Sequence, residues 1–122
     1  MKIRIRGNSV RYRLTKTEVK TFCETGYYEE KTQFNDRTLT YALKASDTIE
    51  HLAAEFSGDT ITVHISVKKS EGWTENETVG FQHTTLLDNG EELFLLIEKD
   101  FACLDNTTED QSDNYPNPLA EC

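Results

Sequence analysis

Lys2-Ile3-Arg4-Ile5-Arg6-Gly7-Asn8-Ser9-Val10-Arg11-Tyr12-Arg13-Leu14 is the stretch from which the rest of this chain is read. On either side of Gly7-Asn8 apolar and basic residues alternate, the period of a strand with one buried face, and Gly-Asn is a two-residue hairpin turn. Folded about that turn, Ile5 faces Val10, Ile3 faces Tyr12 and Met1 faces Leu14. The opposite face sets Arg4 against Arg11 and Lys2 against Arg13, with Arg6 beside the turn. Like charges directly opposite one another destabilise a hairpin by a few tenths to about 1 kcal/mol per pair. Such a face seeks anionic company, either from the chain itself or from a ligand. Lys2, Arg4, Arg6, Arg11 and Arg13 are therefore the candidate ligand-binding residues, for a small anion or an acidic protein partner.

Punctuation of the same quality follows. Thr15 with Glu18 three residues on is a capping box, Leu14 and Val19 form a hydrophobic staple around it, and Gly26 is a left-handed stop. These signals predict a helix over 16–24, with Val19, Phe22 and Cys23 on one face and Cys23 in the core. Segments 27–34 and 37–44 read as a second hairpin about Asn35-Asp36, with Tyr28, Thr32 and Phe34 sharing a face with Leu39, Tyr41 and Leu43. Glu30 falls on that face opposite Tyr41. Full burial would raise its pKa as a catalytic acid requires; a rim position, the reading preferred here, lets it bond a tyrosine or an arginine.

Segments 50–56 and 60–67 form a third hairpin about Gly58-Asp59, setting Leu52, Ala54 and Phe56 against Ile61, Val63 and Ile65. His51 and His64 lie diagonal to each other on its polar face with Glu55 nearby, a geometry open to a divalent metal but more simply a solvated surface. Residues 68–76 are a connection whose Trp73 plugs one end of the core. Segments 78–87 and 91–99 make a fourth hairpin at Asn89-Gly90; a two-residue turn there would oppose Asp88 and Glu91. The apolar run 93–97 reads as a strand covered on both faces, with the helix on one of them.

Eight strands joined by short turns, each hairpin with one apolar face, predict a mainly β fold bordering on α+β. The expected form is an antiparallel meander closed or nearly closed into a barrel, which removes exposed edges, with the helix packed on it. A two-layer α+β sheet is the second choice. The expected division is a barrel-like domain over 1–102 and an acidic C-terminal segment over 103–122. That segment has no Lys or Arg; Phe101, Leu104, Tyr115 and the prolines suggest that it lies on the domain, beside the basic hairpin.

The chain has 122 residues and a formal net charge of −9. The charge is uneven: residues 1–20 carry seven Lys/Arg against one Glu, and the remainder six against 21 Asp/Glu. A chain this acidic opposes general nucleic-acid binding by phosphate repulsion, while a local basic patch can still hold one small anion. No apolar stretch approaches the roughly 18 residues of a membrane span, and the basic N-terminus lacks the apolar run of a secretory signal. The expectation is a cytoplasmic protein with no membrane or nucleic-acid partner and no cofactor or metal. Three cysteines, Cys23, Cys103 and Cys122, argue against a disulfide framework. Cys103, Asp105, Asp110 and Cys122 show no recognised metal-ligand spacing.

The opening Ile3-Arg4-Ile5-Arg6-Gly7-Asn8-Ser9-Val10-Arg11 with Leu14-Thr15-Lys16-Thr17-Glu18-Val19, the central Leu39-Thr40-Tyr41-Ala42-Leu43, and the late Glu98-Lys99-Asp100-Phe101-Ala102-Cys103-Leu104 with Tyr115-Pro116-Asn117-Pro118 are similar to a small, uncharacterised bacterial family. The resemblance spans nearly the whole chain; it implies a bacterial, soluble, stand-alone domain and brings no activity, cofactor or site. A barrel lined with arginines and glutamates also distantly resembles the triphosphate tunnel enzymes. That resemblance would make Arg4, Arg6, Arg11 and Arg13 phosphate clamps and Glu98 and Asp100 metal carboxylates. The paired glutamates with which those enzymes begin their first strand are missing here. No Gly-rich phosphate loop, nucleophile elbow or His-Glu-x-x-His is present. The sequence therefore points first to a non-catalytic binding domain using the basic face of its first hairpin. The alternatives are an interaction protein whose basic face is neutralised internally, and a metal-dependent phosphate-ester or triphosphate hydrolase.

Overall fold

All four expected hairpins form. In the computed structural model, which describes residues 1–101 and 112–116, β1 (Lys2–Ile5) pairs with β2 (Ser9–Leu14) in the expected register, Arg4 opposite Arg11 and Lys2 opposite Arg13. Arg6 and Ser9 exchange backbone hydrogen bonds of 3.2 Å across Gly7-Asn8. β3 (Tyr27–Gln33) and β4 (Thr38–Ser46) set Glu30 against Tyr41. β5 (Ala53–Ser57) and β6 (Thr60–Ser66) set Ala54 against Val63 and Phe56 against Ile61. The hairpin of β7 (Gly80–Leu86) and β8 (Glu92–Lys99) is shifted by one from the expected register. The Leu87 N–H donates to Glu91 O, and Gly90 takes a left-handed φ of 86°. A three-residue turn with glycine in that position is a favoured hairpin loop, and it keeps Asp88 and Glu91 from facing each other.

The assembly of these hairpins departs from the expected barrel. They form two four-stranded sheets, ordered β1-β2-β8-β7 and β3-β4-β6-β5. In each sheet the two hairpins meet through their second strands, and those central pairs, β2 with β8 and β4 with β6, are parallel. The fold is mainly β, but it is neither all antiparallel nor closed. An antiparallel and a parallel neighbour bury the same alternate side chains of a strand, so the period-two pattern is satisfied either way. The Tyr12 hydroxyl donates to Ile61 O at 3.1 Å, and its ring lies 6.1 Å from that of Tyr41, bonding one sheet to the other. Between them Leu14, Leu95 and Ile97 of the first sheet and Leu43, Val63 and Ile65 of the second are fully buried.

The helix α1 (Lys16–Thr25) carries the expected capping box at Thr15 and Glu18, and Gly26 ends it at φ 76°. It buries Val19 and Phe22 and packs against β2 and β3. Cys23 is exposed rather than buried: it sits at the rim of the buried face, with its thiol 3.7 Å from Ser70 O. Because α1 sits against β2 and β3, β8 is not covered in the way its apolar run suggested; Phe94 and Leu96 stay half-buried on its outer side. Residues 67–76 form a short helix α2 (Val67–Ser70) and turns. They deliver Trp73 fully buried, its indole N–H donating to Thr78 O and its ring edge-on to Phe81. Residues 112–116 lie against the domain: the Tyr115 N–H donates to Asp100 O and the Lys16 N–H to Asp113 O. Cys103, Leu104, Asp105, Asp110 and Cys122, and most of the expected 103–122 segment, fall outside the described residues.

Candidate anion-binding face

The five cations of the first hairpin share one side of their ribbon because alternation along two paired strands allows nothing else. That side is the outer face of the first sheet. Across it the rows run Lys2-Arg13-Glu98-Gly80, Arg4-Arg11-Leu96-Gln82 and Ser9-Phe94-Thr84. Glu98 serves two guanidiniums, with its Oε1 2.8 Å from Arg13 Nε and 3.7 Å from Arg11 Nε. Lys2 Nζ lies 3.2 Å from Oδ2 of Asp100, a carboxylate only 3% exposed, off the axis of a hydrogen bond. Among the described residues no carboxylate lies within ion-pair range of Arg4 or Arg6, which sit towards the turn.

Around those two arginines the face sinks into a cleft of about 220 Å³, lined by Arg4, Arg6, Ser9, Val10, Arg11 and Phe94. The turn that shapes it is held to the neighbouring hairpin: the Asn8 amide donates to Glu92 O at 2.6 Å, and the Phe94 N–H donates to Asn8 O at 3.1 Å. A guanidinium offers donors in a rigid fork that fits phosphate and carboxylate oxygens. Arg4, Arg6 and Arg11 all line this one concavity. Sequence reasoning missed Phe94 as a site residue. The run 93–97 signals a strand, but only the parallel register of β8 on β2 brings Phe94 beside the arginines.

The chain matches the DUF7009 family over residues 1–119. It belongs to that family, whose function is unknown. No curated protein and no solved structure matches the chain.

Elsewhere in this DUF7009 domain the other candidate groups are accounted for by local contacts. The Met1 amine bonds the carboxylates of Glu18 and of Glu30, the latter at 2.8 Å, and the Tyr28 hydroxyl donates to both. Glu30 is thus a partly exposed carboxylate bonded to a tyrosine, as its rim reading required. Burial would push the Glu18 carboxyl up. The Met1 ammonium and the Thr15 N–H outweigh it, so Glu18 titrates below the usual carboxylate range. The histidines separate: His64 Nε2 lies 2.9 Å from Glu55, whereas His51 leaves that face and stacks on His83, with ring centroids 4.5 Å apart and planes 3° from parallel. Imidazole lone pairs lie in the ring plane, so two stacked rings cannot converge on one ion. Among the described residues no set of three or more His, Cys, Asp or Glu side chains is arranged around a metal position. Glu98 and Asp100, the carboxylates of the tunnel reading, are engaged by hairpin cations, and the arginines line an outer face rather than a lumen. No described helix is long and apolar enough to cross a membrane.

Proposed function

We propose that this domain is a small non-catalytic binding module whose basic face on β1 and β2 takes an anionic ligand. The observation that carries the reading is the cleft where Arg4, Arg6 and Arg11 converge, with no described carboxylate in range of the first two. Internal neutralisation accounts for part of the face, since Glu98 and Asp100 offset Arg13 and Lys2. It leaves Arg4 and Arg6 without a described carboxylate and gives Arg11 only a share of Glu98 at 3.7 Å, so part of the Arg4–Arg11 repulsion stands as a cost that an incoming anion removes. The strongly acidic remainder of the chain favours a compact ligand over a long polyanion, which would meet repulsion beyond the patch.

Thermal unfolding in inorganic phosphate and in pyrophosphate at low ionic strength tests the reading. A ligand at a hundred times its Kd stabilises the folded state by about 2.7 kcal/mol. The stabilisation is expected in the wild type, to weaken with added salt, and to vanish in Arg4→Ala/Arg11→Ala. That variant removes a like-charge pair and should itself fold. No shift in the wild type, or equal shifts in both proteins, overturns the proposal.

A further inference from the structure

We infer that the ligand is a phosphomonoester of an aromatic group, held with its phosphate among Arg4, Arg6 and Arg11 and its ring over Phe94. The inference rests on the anion-binding reading and adds the ligand's class to it. Phe94 lines the same cleft as the three arginines. It stands on the outer face beside Ser9, one strand away from the basic ribbon. Adjacent strands are about 4.8 Å apart, which matches the reach from a phosphate to a ring esterified to it. Phe94 is half-buried rather than shielded, so its ring is presented as a surface.

Flat groups suit that surface better than aliphatic ones. An aromatic ring stacks in offset or edge-on geometry on phenylalanine, and it also meets the guanidinium planes of Arg4 and Arg11, which attract its face. Charge sets the other end. The described face carries five cations against Glu92, Glu98 and Asp100. The latter two engage Lys2, Arg11 and Arg13, while Glu92, beyond Phe94 on β8, is in ion-pair range of none of the five, so the positive end lies where Arg4 and Arg6 sit. Past Leu96 the face continues into a shallower depression of about 260 Å³ that contains Gln82 and Glu98. No described Lys or Arg lines that depression, so a second phosphate would meet no cation there and the ligand's charge is confined to one end. A volume near 220 Å³ falls below the usual range of about 300–1,000 Å³ for drug-sized ligands, and selects a single ring over an extended dinucleotide.

Calorimetric titration of the full chain with inorganic phosphate, phenyl phosphate and cyclohexyl phosphate tests this. Phenyl phosphate is expected to bind about tenfold more tightly than inorganic phosphate, and more tightly than cyclohexyl phosphate. Phe94→Ala should remove that advantage, lowering phenyl phosphate affinity about tenfold more than that of inorganic phosphate. Phe94→Leu, which keeps apolar volume and loses the ring, should bring phenyl and cyclohexyl phosphate level and serves if the alanine variant does not fold. Equal affinities for the three ligands in the wild type, or equal losses for all three in the Phe94 variants, overturn the aromatic assignment and leave the anion site standing. Absence of binding by all three overturns the anion-binding reading and this inference with it.

Discussion

At Gly80 a single hydrogen separates a paired strand from a broken one. A Cβ built there would sit 2.3 Å from the Ile97 carbonyl oxygen and 2.8 Å from the Glu98 Cβ. The first obstacle is backbone, so no side-chain rotation relieves it. β7 would have to move off β8 at the pair Gly80–Glu98, just where the Lys99 N–H donates to Val79 O at 2.9 Å. Overpacking of this kind costs about 1–3 kcal/mol, and Gly80→Ala is expected to lower the urea midpoint accordingly with the denaturant slope unchanged. A change within about 0.5 kcal/mol would mean that the two strands are not so closely apposed. In the sequence Gly80 lies inside the strand-like run 78–87, and a glycine within a strand marks a bulge or a close approach. What it approaches depends on a one-residue shift of register that the turn signal did not settle. Phe94 is a similar case: its apolar character is plain from the chain, its place beside Arg4 and Arg11 is not.

At the scale of elements, α1 and its N-terminus join parts of the chain that are far apart in sequence. The box of Thr15 and Glu18 was legible because its donors and acceptors are three residues apart. Its second use was not: Glu18 also receives the Met1 amine and the Tyr28 hydroxyl, both brought there by strand pairing. Asp113, from the described C-terminal stretch, adds a carboxylate at the same helix end, bonded to the Thr17 hydroxyl at 3.0 Å. The Thr15 hydrogen bond first, and those to Thr17 with it, hold it below its ordinary pKa against the opposing effect of burial. Glu18 and Asp113 are both carboxylates with folded pKa values below their unfolded ones. Their contribution is fully present above the unfolded carboxylate pKa and is lost as pH falls through the folded value. Glu18→Gln keeps the capping-box hydrogen bond but loses the charge, and should therefore be less stable than the wild type at pH 7 by about 1 kcal/mol, the size of a favourable negative charge at a helix N-terminus. The difference should shrink as pH falls below the unfolded carboxylate range, since the protonated glutamate then resembles glutamine. Urea unfolding of both proteins from pH 7 to pH 3 measures it; a difference that stayed constant, or grew on acidification, would contradict the assignment of Glu18 as a favoured charge.

Over the whole molecule, the hairpins were legible and their arrangement was not. Each turn lies between strands it joins directly, so alternation and turn chemistry define the pair: Arg4 opposite Arg11 and Glu30 opposite Tyr41 both follow. The pairing of β2 with β8 joins opposite ends of the chain and leaves no local trace, because Leu95 and Ile97 would face inward beside a parallel or an antiparallel neighbour alike. The distinction is measurable. A closed meander has no edges, and all eight strands would protect their amides similarly. Among the described residues β1, β7, β3 and β5 are the edges of the two sheets, and every second N–H on them points away from its one described partner. Amide hydrogen exchange at neutral pH should show continuous slow exchange along β2, β8, β4 and β6, governed by global opening. Alternating fast and slow positions are expected along the four edges. On β1 this predicts rapid exchange on the side away from β2, next to the arginines proposed to take the anion, so a ligand binding only through side chains should leave that alternation in place. Uniform protection across all eight strands would restore the barrel; an alternating pattern on β2 or β8 would break the parallel pair that brings Phe94 to the basic cleft.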